Sequence, residues 1–271
     1  MRDPVQLTLA TRKSPLAMRQ TESVRARLLQ LYPFCQIEIL GLSTEGDLRL
    51  DAPLTDLGGK GVFVKALETA LLSGQADIAV HSLKDLPSTL APQWVIGAML
   101  QRADPRDAFV SNQFKSMSML PATAVVGTSS LRRAFQLKKI CPEVTVYPLR
   151  GNVESRIAKL DAGEFDAIIL AVAGLSRLGL AHRITQHVSV EEMVPAIGQG
   201  VLALECLSDR QDVTAWIAPL NDPVTVACAT AERAVGVALG GNCHLPLAAF
   251  AECHKDQLVL TARLMTPDGG C

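Results

Sequence analysis

No segment of this chain is apolar for long enough to cross a bilayer. The most apolar run, Ala167 to Leu175, falls far short of the ~20 residues a membrane helix needs. The opening residues, Met1-Arg2-Asp3-Pro4-Val5-Gln6, hold no apolar core of signal-peptide length, so a cytoplasmic protein without a membrane partner is expected. An excess of charge of either sign is missing too. With 26 basic against 27 acidic side chains, no whole-molecule field draws the protein to nucleic acid, and any anion binding must come from local clustering. There is no Cys-x-x-Cys pair. The seven cysteines are odd in number and scattered, and they read as free, mostly buried thiols. Cys243-His244 and Cys253-His254 are adjacent pairs, which on an extended strand point to opposite faces, so no metal site is expected. Gly58-Gly59-Lys60-Gly61 lacks the glycine spacing and the Ser or Thr of a nucleotide-binding P-loop. Neither an internal repeat nor a low-complexity tract is visible.

What is present is enough apolar material, 48% of 271 residues, for two or three ordinary domains. Strand-like and helix-like segments alternate through the first two hundred residues, which favours a parallel α/β sheet. Leu7 to Ala10 reads as a strand. Ser14-Pro15 then supplies an N-cap and a first-turn proline for a helix to about Leu31, with Ala17, Thr21, Val24, Leu28 and Leu31 on one face. Ile37 to Leu42 is a second strand, and Ser43 to Gly61 is a long loop without clear period, expected to be a lid or disordered. Past Gly200 an apolar strand, Val201 to Glu205, is followed by a helix, Val224 to Val237. A tight turn, Leu239 to Cys243, leads to a strand pair, Leu247 to Phe250 with Leu258 to Leu264, so a small α+β domain is expected from about Asp222.

Chemistry concentrates where strands end. Ala76 to Val80 is an apolar run that breaks into His81, Ser82, Lys84 and Asp85 before Pro87, and open α/β sheets hold ligands just beyond such strand ends. Taken alone, the segment reads equally as a solvated turn with an incidental Lys-Asp pair. The same placement recurs at Arg12, at Arg132-Arg133, at Arg150 with Arg156, and at Arg177. Arg132 and Arg133 occupy the first turn of a helix, Leu131 to Ile140, where the partial charge is already positive. Arginine forks at one sheet edge suit a small ligand bearing several carboxylates.

Eight motifs in order carry a family resemblance: Ala10-Thr11-Arg12, Gly58-Gly59-Lys60-Gly61, His81-Ser82-Leu83-Lys84-Asp85, Asp104-Pro105-Arg106-Asp107, Gly127-Thr128-Ser129-Ser130-Leu131-Arg132-Arg133, Leu149-Arg150-Gly151-Asn152, Ala171-Val172-Ala173-Gly174-Leu175 and Gly198-Gln199-Gly200. Along essentially its whole length the chain resembles the porphobilinogen deaminase (hydroxymethylbilane synthase) family. The resemblance implies two α/β domains like the type II periplasmic binding proteins and a small α+β C-terminal domain. The expected division is 1–101 with 197–219, 102–196, and 220–271. It implies a monomeric transferase of tetrapyrrole and heme biosynthesis that joins porphobilinogen units head to tail, releasing ammonia, on a dipyrromethane primer held as a thioether. By its place in Gly241-Asn242-Cys243-His244, Cys243 matches the anchor.

The resemblance also assigns roles. Asp85 matches the catalytic aspartate, beside pyrrole nitrogens as positive charge develops, and His81 takes a supporting role. Cofactor contacts are expected from Lys84, Asp85, Ser129, Ser130, Arg132, Arg133, Arg150 and Gly174. Substrate contacts are expected from Arg12, Ser14, Lys60, Ser82, Arg150, Arg156, Arg177 and Gln199, and Thr128 adds a donor. Asp56 stands where relatives often carry lysine, and Asn242 where glycine is common, although asparagine tolerates left-handed backbone. The family continues beyond Pro267-Asp268-Gly269, so a shortened third domain with an uncovered sheet is expected. A polycarboxylate solute-binding protein would use the same fold and arginines, but the missing export signal argues against it. A cysteine hydrolase at Cys243 would find His244 badly placed and no partner acid. The intact protein is predicted to be heavier than its bare chain by one dipyrromethane, with the excess absent from Cys243→Ser. Intact-mass measurement checks this, and an unmodified yet active protein overturns the assignment.

Overall fold

The computed structural model describes residues 3–44, 46, 64–240, 246–255 and 257–266. Two five-stranded sheets organise most of them. The first is built from β1 (Gln6–Arg12), β2 (Gln36–Leu42), β3 (Ile78–Ser82), β4 (Trp94–Met99) and β10 (Leu202–Leu207), in the order β2-β1-β3-β10-β4. The second contains β5 (Asp107–Val110), β6 (Val125–Gly127), β7 (Thr145–Tyr147), β8 (Ala167–Ala171) and β9 (Gln186–Val188), in the order β7-β6-β8-β5-β9. The two orders are equivalent position by position. Each sheet takes its fourth strand from chain that has just left the other.

That exchange corrects the expectation of a parallel sheet. β1, β2 and β3 are parallel, as are β6, β7 and β8, but β10 is antiparallel to β3 and β4, and β5 to β8 and β9. A strand arriving from the neighbouring sheet enters at the edge where the parallel strands finish, so it must run back. Leu202 accordingly pairs with Ser82, and Asp107 with Ala171. Both crossings therefore end beside the carboxyl termini of the parallel strands.

Helices cover the sheets as the apolar spacing requires. In α1 (Pro15–Leu31) the Ser14 hydroxyl accepts from the Ala17 N–H, and Ala17, Gln20, Thr21, Val24 and Leu28 are buried, whereas Leu31 is exposed. α2 (Lys65–Leu72) and α6 (Gln211–Ile217) pack on the first sheet; α3 (Leu131–Ile140), α4 (Val153–Asp161) and α5 (Val172–Arg177) belong to the second. Strand alternation splits the second core in two. Phe109 and Ile169 face one apolar layer while Ala108, Val110, Ile168 and Leu170 face the other. The third unit is α7 (Pro223–Ala238), capped by Asp222 on the Thr225 N–H, packed on the hairpin β11 (Leu247–His254) and β12 (Gln257–Leu264). β11 runs four residues past the expected Phe250, through exposed Cys253 and His254, because its ladder continues to the turn at Lys255, where φ is 56°. None of the described helices is long and apolar enough to cross a membrane.

One carboxylate joins the three units. Glu232 of α7 is fully buried; one of its oxygens accepts from Arg102 Nη2 and the Ala251 N–H, and the other from the Gly198 N–H, each at 2.8 Å. Arg102 precedes β5, Gly198 precedes β10, and Ala251 lies in β11, so both crossings and the third unit meet at one side chain. Two glycines shape the second crossing. Gly198 has φ +70 and Gly200 φ +88, and a side-chain carbon on Gly200 would lie 2.5 Å from the Ala103 carbonyl oxygen. Glu232→Ala leaves the mostly covered Arg102 side chain without its partner and should lower unfolding free energy by about 3–5 kcal/mol in urea denaturation. Pairing it with Arg102→Met should recover part of that loss.

Candidate active site

The strand ends build a cleft of about 680 Å³ between the two sheets. After β3 the chain turns once in a short 3-10 segment, Leu83–Asp85, in which Leu83 is buried, as is Leu86 just after it. The Leu83 N–H donates to the Val201 carbonyl at 3.0 Å, and the Leu86 N–H closes the turn onto Leu83. Two buried leucines thus leave Lys84 and Asp85 on the cleft wall. Ser82 also lines it, its hydroxyl held 3.0 Å from Gln20 Nε2 of α1. His81 points behind the sheet, 3.0 Å from the buried Glu205 carboxylate, and does not line the cleft.

Cations dominate the remaining walls. Arg12 ends β1 and Ser14 caps α1; Arg150 leads into Gly151, whose φ of +113 and lack of a Cβ admit the Ser155 side chain. Asn152 caps α4 by accepting from the Ser155 N–H at 2.8 Å. Arg156 donates to the Gly151 carbonyl and Arg177 to the Gly200 carbonyl, each at 2.8 Å, with their side chains on the cleft. Ser129 lines the wall and donates to the Leu149 carbonyl; Gly174 lies between Leu16 and Val153, which approach where its Cβ would be. The N-termini of α1, α4 and α5 all open here, adding partial positive charge. Asp85 is the only acidic side chain among the described cleft residues, and it makes no hydrogen bond to them.

Burial and neighbouring positive charge loosen the protons of these groups. Burial, then Arg133 and Arg150, lowers Arg156 to about 10; burial, then Arg27, lowers Arg177 to about 10. Lys84 falls to about 8, through burial first and Arg133 second, with Asp85 and Asp107 opposing. A bound anion would relieve all three at once.

Three expected contact residues stand behind the wall instead of on it. Arg132, nearly buried, lies 2.7 Å from Asp107 and donates to the Val194 carbonyl. Ser130 caps α3, its hydroxyl accepting from the Arg133 N–H. Gln199, 1% exposed, donates to the Pro105 carbonyl and to Asp107, and its carbonyl oxygen accepts from Lys84 Nζ at 3.5 Å. Arg133 does reach the cleft, yet it donates through Nε and Nη2 to Asp107 and through Nη1 to the Ile169 carbonyl. Asp107 is therefore the hub of the back wall. Burial works to raise its pKa, but Arg132 and then Arg133 overcome this and hold it well below the usual carboxylate range. It was not among the expected site residues, although an aspartate opening an otherwise apolar strand was the available signal. Gln20, Lys13 and Asn152 also line the cleft unforeseen; Gln20 could have been found as a polar residue on the buried face of α1. Lys60, Asp56 and Cys243 lie outside the described residues, as does most of the 43–61 loop.

Comparison with known proteins shows the family. Residues 7–215 match the family model "porphobilinogen deaminase, dipyromethane cofactor binding domain", and residues 226–270 match the C-terminal domain of the same family. The chain belongs to the porphobilinogen deaminase family. Curated porphobilinogen deaminases of Laribacter hongkongensis and Chromobacterium violaceum are 53% and 54% identical to it, over 97% of this chain and 86% and 85% of theirs. That of Thiobacillus denitrificans is 54% identical, over 97% of this chain and 86% of its own. Membership makes the chain a transferase of tetrapyrrole and heme biosynthesis with porphobilinogen as substrate. Among solved structures, the methionine-binding protein MetQ is similar with a TM-score of 0.52 at 13% identity, covering 88% of this chain and 97% of its own. A periplasmic substrate-binding protein of an ABC transporter from Coxiella burnetii scores 0.51 at 13% identity, covering 84% and 96%. At that identity the likeness shows fold alone, and the solute-binding alternative is set aside in favour of the family.

The residues present fit a dipyrromethane. Its acetate and propionate groups need several cations and hydroxyl donors facing one cavity, which is the lining described above. Lys84 is cationic only below about pH 8, so a carboxylate resting on it loses attraction as pH rises through that value. Turnover of porphobilinogen should therefore fall between pH 7 and 9 as the hold on the dipyrromethane loosens, and Lys84→Arg should flatten that fall. Initial rates across a pH series check this; an unchanged fall in Lys84→Arg assigns it to another group.

Proposed function

We propose that this cleft condenses porphobilinogen units head to tail, releasing ammonia at each step, with Asp85 as the catalytic group. The observation that carries the proposal is the isolation of one carboxylate among cations. Arg12, Arg150, Arg156 and Arg177 hold substrate acetate and propionate groups, with Ser14 and Ser82 as further donors. Guanidinium forks grip such groups bidentately and fix ring orientation, which converts collision into a positioned reaction. Asp85 has no hydrogen-bond partner among the described residues, so its oxygens are available to pyrrole N–H groups. As the aminomethyl nitrogen departs, positive charge spreads onto the pyrrole ring, and a carboxylate beside the ring nitrogens stabilises it in a low-dielectric cleft. The same carboxylate can take up the proton lost when the new carbon–carbon bond restores aromaticity.

Dipyrromethane, when bound, supplies the pyrrole α-carbon onto which the first unit is joined. Lys84, Ser129, Arg133, Arg150 and Gly174 would hold it, with Cys243 as covalent anchor. Arg132, Ser130 and Gln199 act one step removed, through Asp107, the α3 cap and Lys84. The enzyme so proposed is a monomer that works in the cytoplasm. The sheets support functional units of 1–101 with 197–219, 102–196, and 220–271.

Asp85→Asn keeps the shape and removes the charge. It should lower kcat by about 10²–10⁴-fold, as loss of a general acid–base group does. KM should move little and the dipyrromethane mass should be retained. Steady-state kinetics with intact-mass measurement test this; near-normal turnover removes Asp85 from the mechanism.

A further inference from the structure

Two thiols of the third unit take no part in this chemistry. Cys228, in α7, and Cys253, near the end of β11, approach to 3.6 Å between sulfurs. Cys228 is 3% exposed, whereas Cys253 is open to solvent. No described group of three His, Cys, Asp or Glu side chains could hold a metal, and His254 is turned onto Glu252 at 2.9 Å. The pair therefore reads as a dithiol and not as half of a metal site.

We propose that Cys228 and Cys253 are a reversible disulfide-forming pair, a redox modification site whose oxidant is a small-molecule disulfide such as oxidised glutathione. Exposure sets the order of events. The Cys253 thiolate attacks one sulfur of the glutathione disulfide, that S–S bond breaks, and one glutathione thiolate leaves. Cys228, after losing its proton, attacks the Cys253 sulfur and expels the second glutathione thiolate. The protein gives up two protons and two electrons, and one disulfide becomes two thiols. Cys228 is the resolving partner because the tripeptide cannot reach it, and because burial, then the neighbouring Cys253, raises its pKa.

The fold accommodates the link. Glu232, one turn further along α7, already tethers that helix to β11 through the Ala251 N–H, so the disulfide reinforces an existing contact. It closes a segment spanning 25 positions, which includes Cys243, and so restricts the unfolded chain.

The test uses reduced holoenzyme equilibrated in glutathione redox buffers, acid-quenched, alkylated and analysed by intact and peptide mass. Wild type should lose two hydrogens, yield a cross-linked Cys228–Cys253 peptide, reverse with dithiothreitol, and unfold at higher temperature when oxidised. Cys228→Ala should instead retain glutathione on Cys253, and Cys253→Ala should leave Cys228 unmodified. A wild type that keeps the glutathione adduct, pairs either thiol with another cysteine, or shows no modification in these buffers overturns the proposal.

Discussion

Asp107 is the charge on which the cleft depends. Two guanidinium groups near the start of one helix oppose its dipole and each other, and burying them costs several kcal/mol per ion unless they are paired. Asp107 sits at the first residue of β5, the point where the returning strand meets the ends of its parallel neighbours, and there it contacts both Arg132 and Arg133. Gln199 from the other crossing joins it and, through its carbonyl oxygen, reaches Lys84. Asp107 thereby cancels one of the two guanidinium charges of the back wall and eases the repulsion between them.

The front wall is cationic among the described residues. Lys84, Arg156 and Arg177 all hold their protons less tightly than in water, burial being the largest cause. Burial first, and then neighbouring cations, favour the uncharged forms, and a carboxylate set against these groups would oppose that. Among the described residues Asp85 is the one carboxylate that faces these cations.

Glu232 plays for the crossings the part that Asp107 plays for the wall. Its two oxygens satisfy Arg102 and two backbone N–H groups drawn from separate units, and burial raises its pKa against the influence of Arg102. Both carboxylates lie where the chain passes from sheet to sheet. The geometry of the cleft is therefore tied to the seating of the third unit, in which the family resemblance places the cofactor anchor.

Local order was largely legible in the chain. Apolar runs, the Ser14-Pro15 start and the Leu131 to Ile140 periodicity mark real strands and helices, since burial and capping act over a few neighbouring residues. The placement of arginine and of Lys84-Asp85 at strand ends pointed to an acidic ligand for the same reason. The running direction of β5 and β10 was not legible, because antiparallel entry follows from a crossing between two sheets and leaves no mark in either strand's composition. Nor was the division between cations that face the cleft and those that face Asp107. Arg132 and Arg150 are alike as residues near strand ends, and it is the packing of β5 beneath α3 that brings Asp107 to the first. The sequence by itself determined which side chains could meet an anion; the tertiary structure decided which of them line the cleft, because a buried charge goes to its nearest counter-charge and that neighbour comes from 26 residues away along the chain.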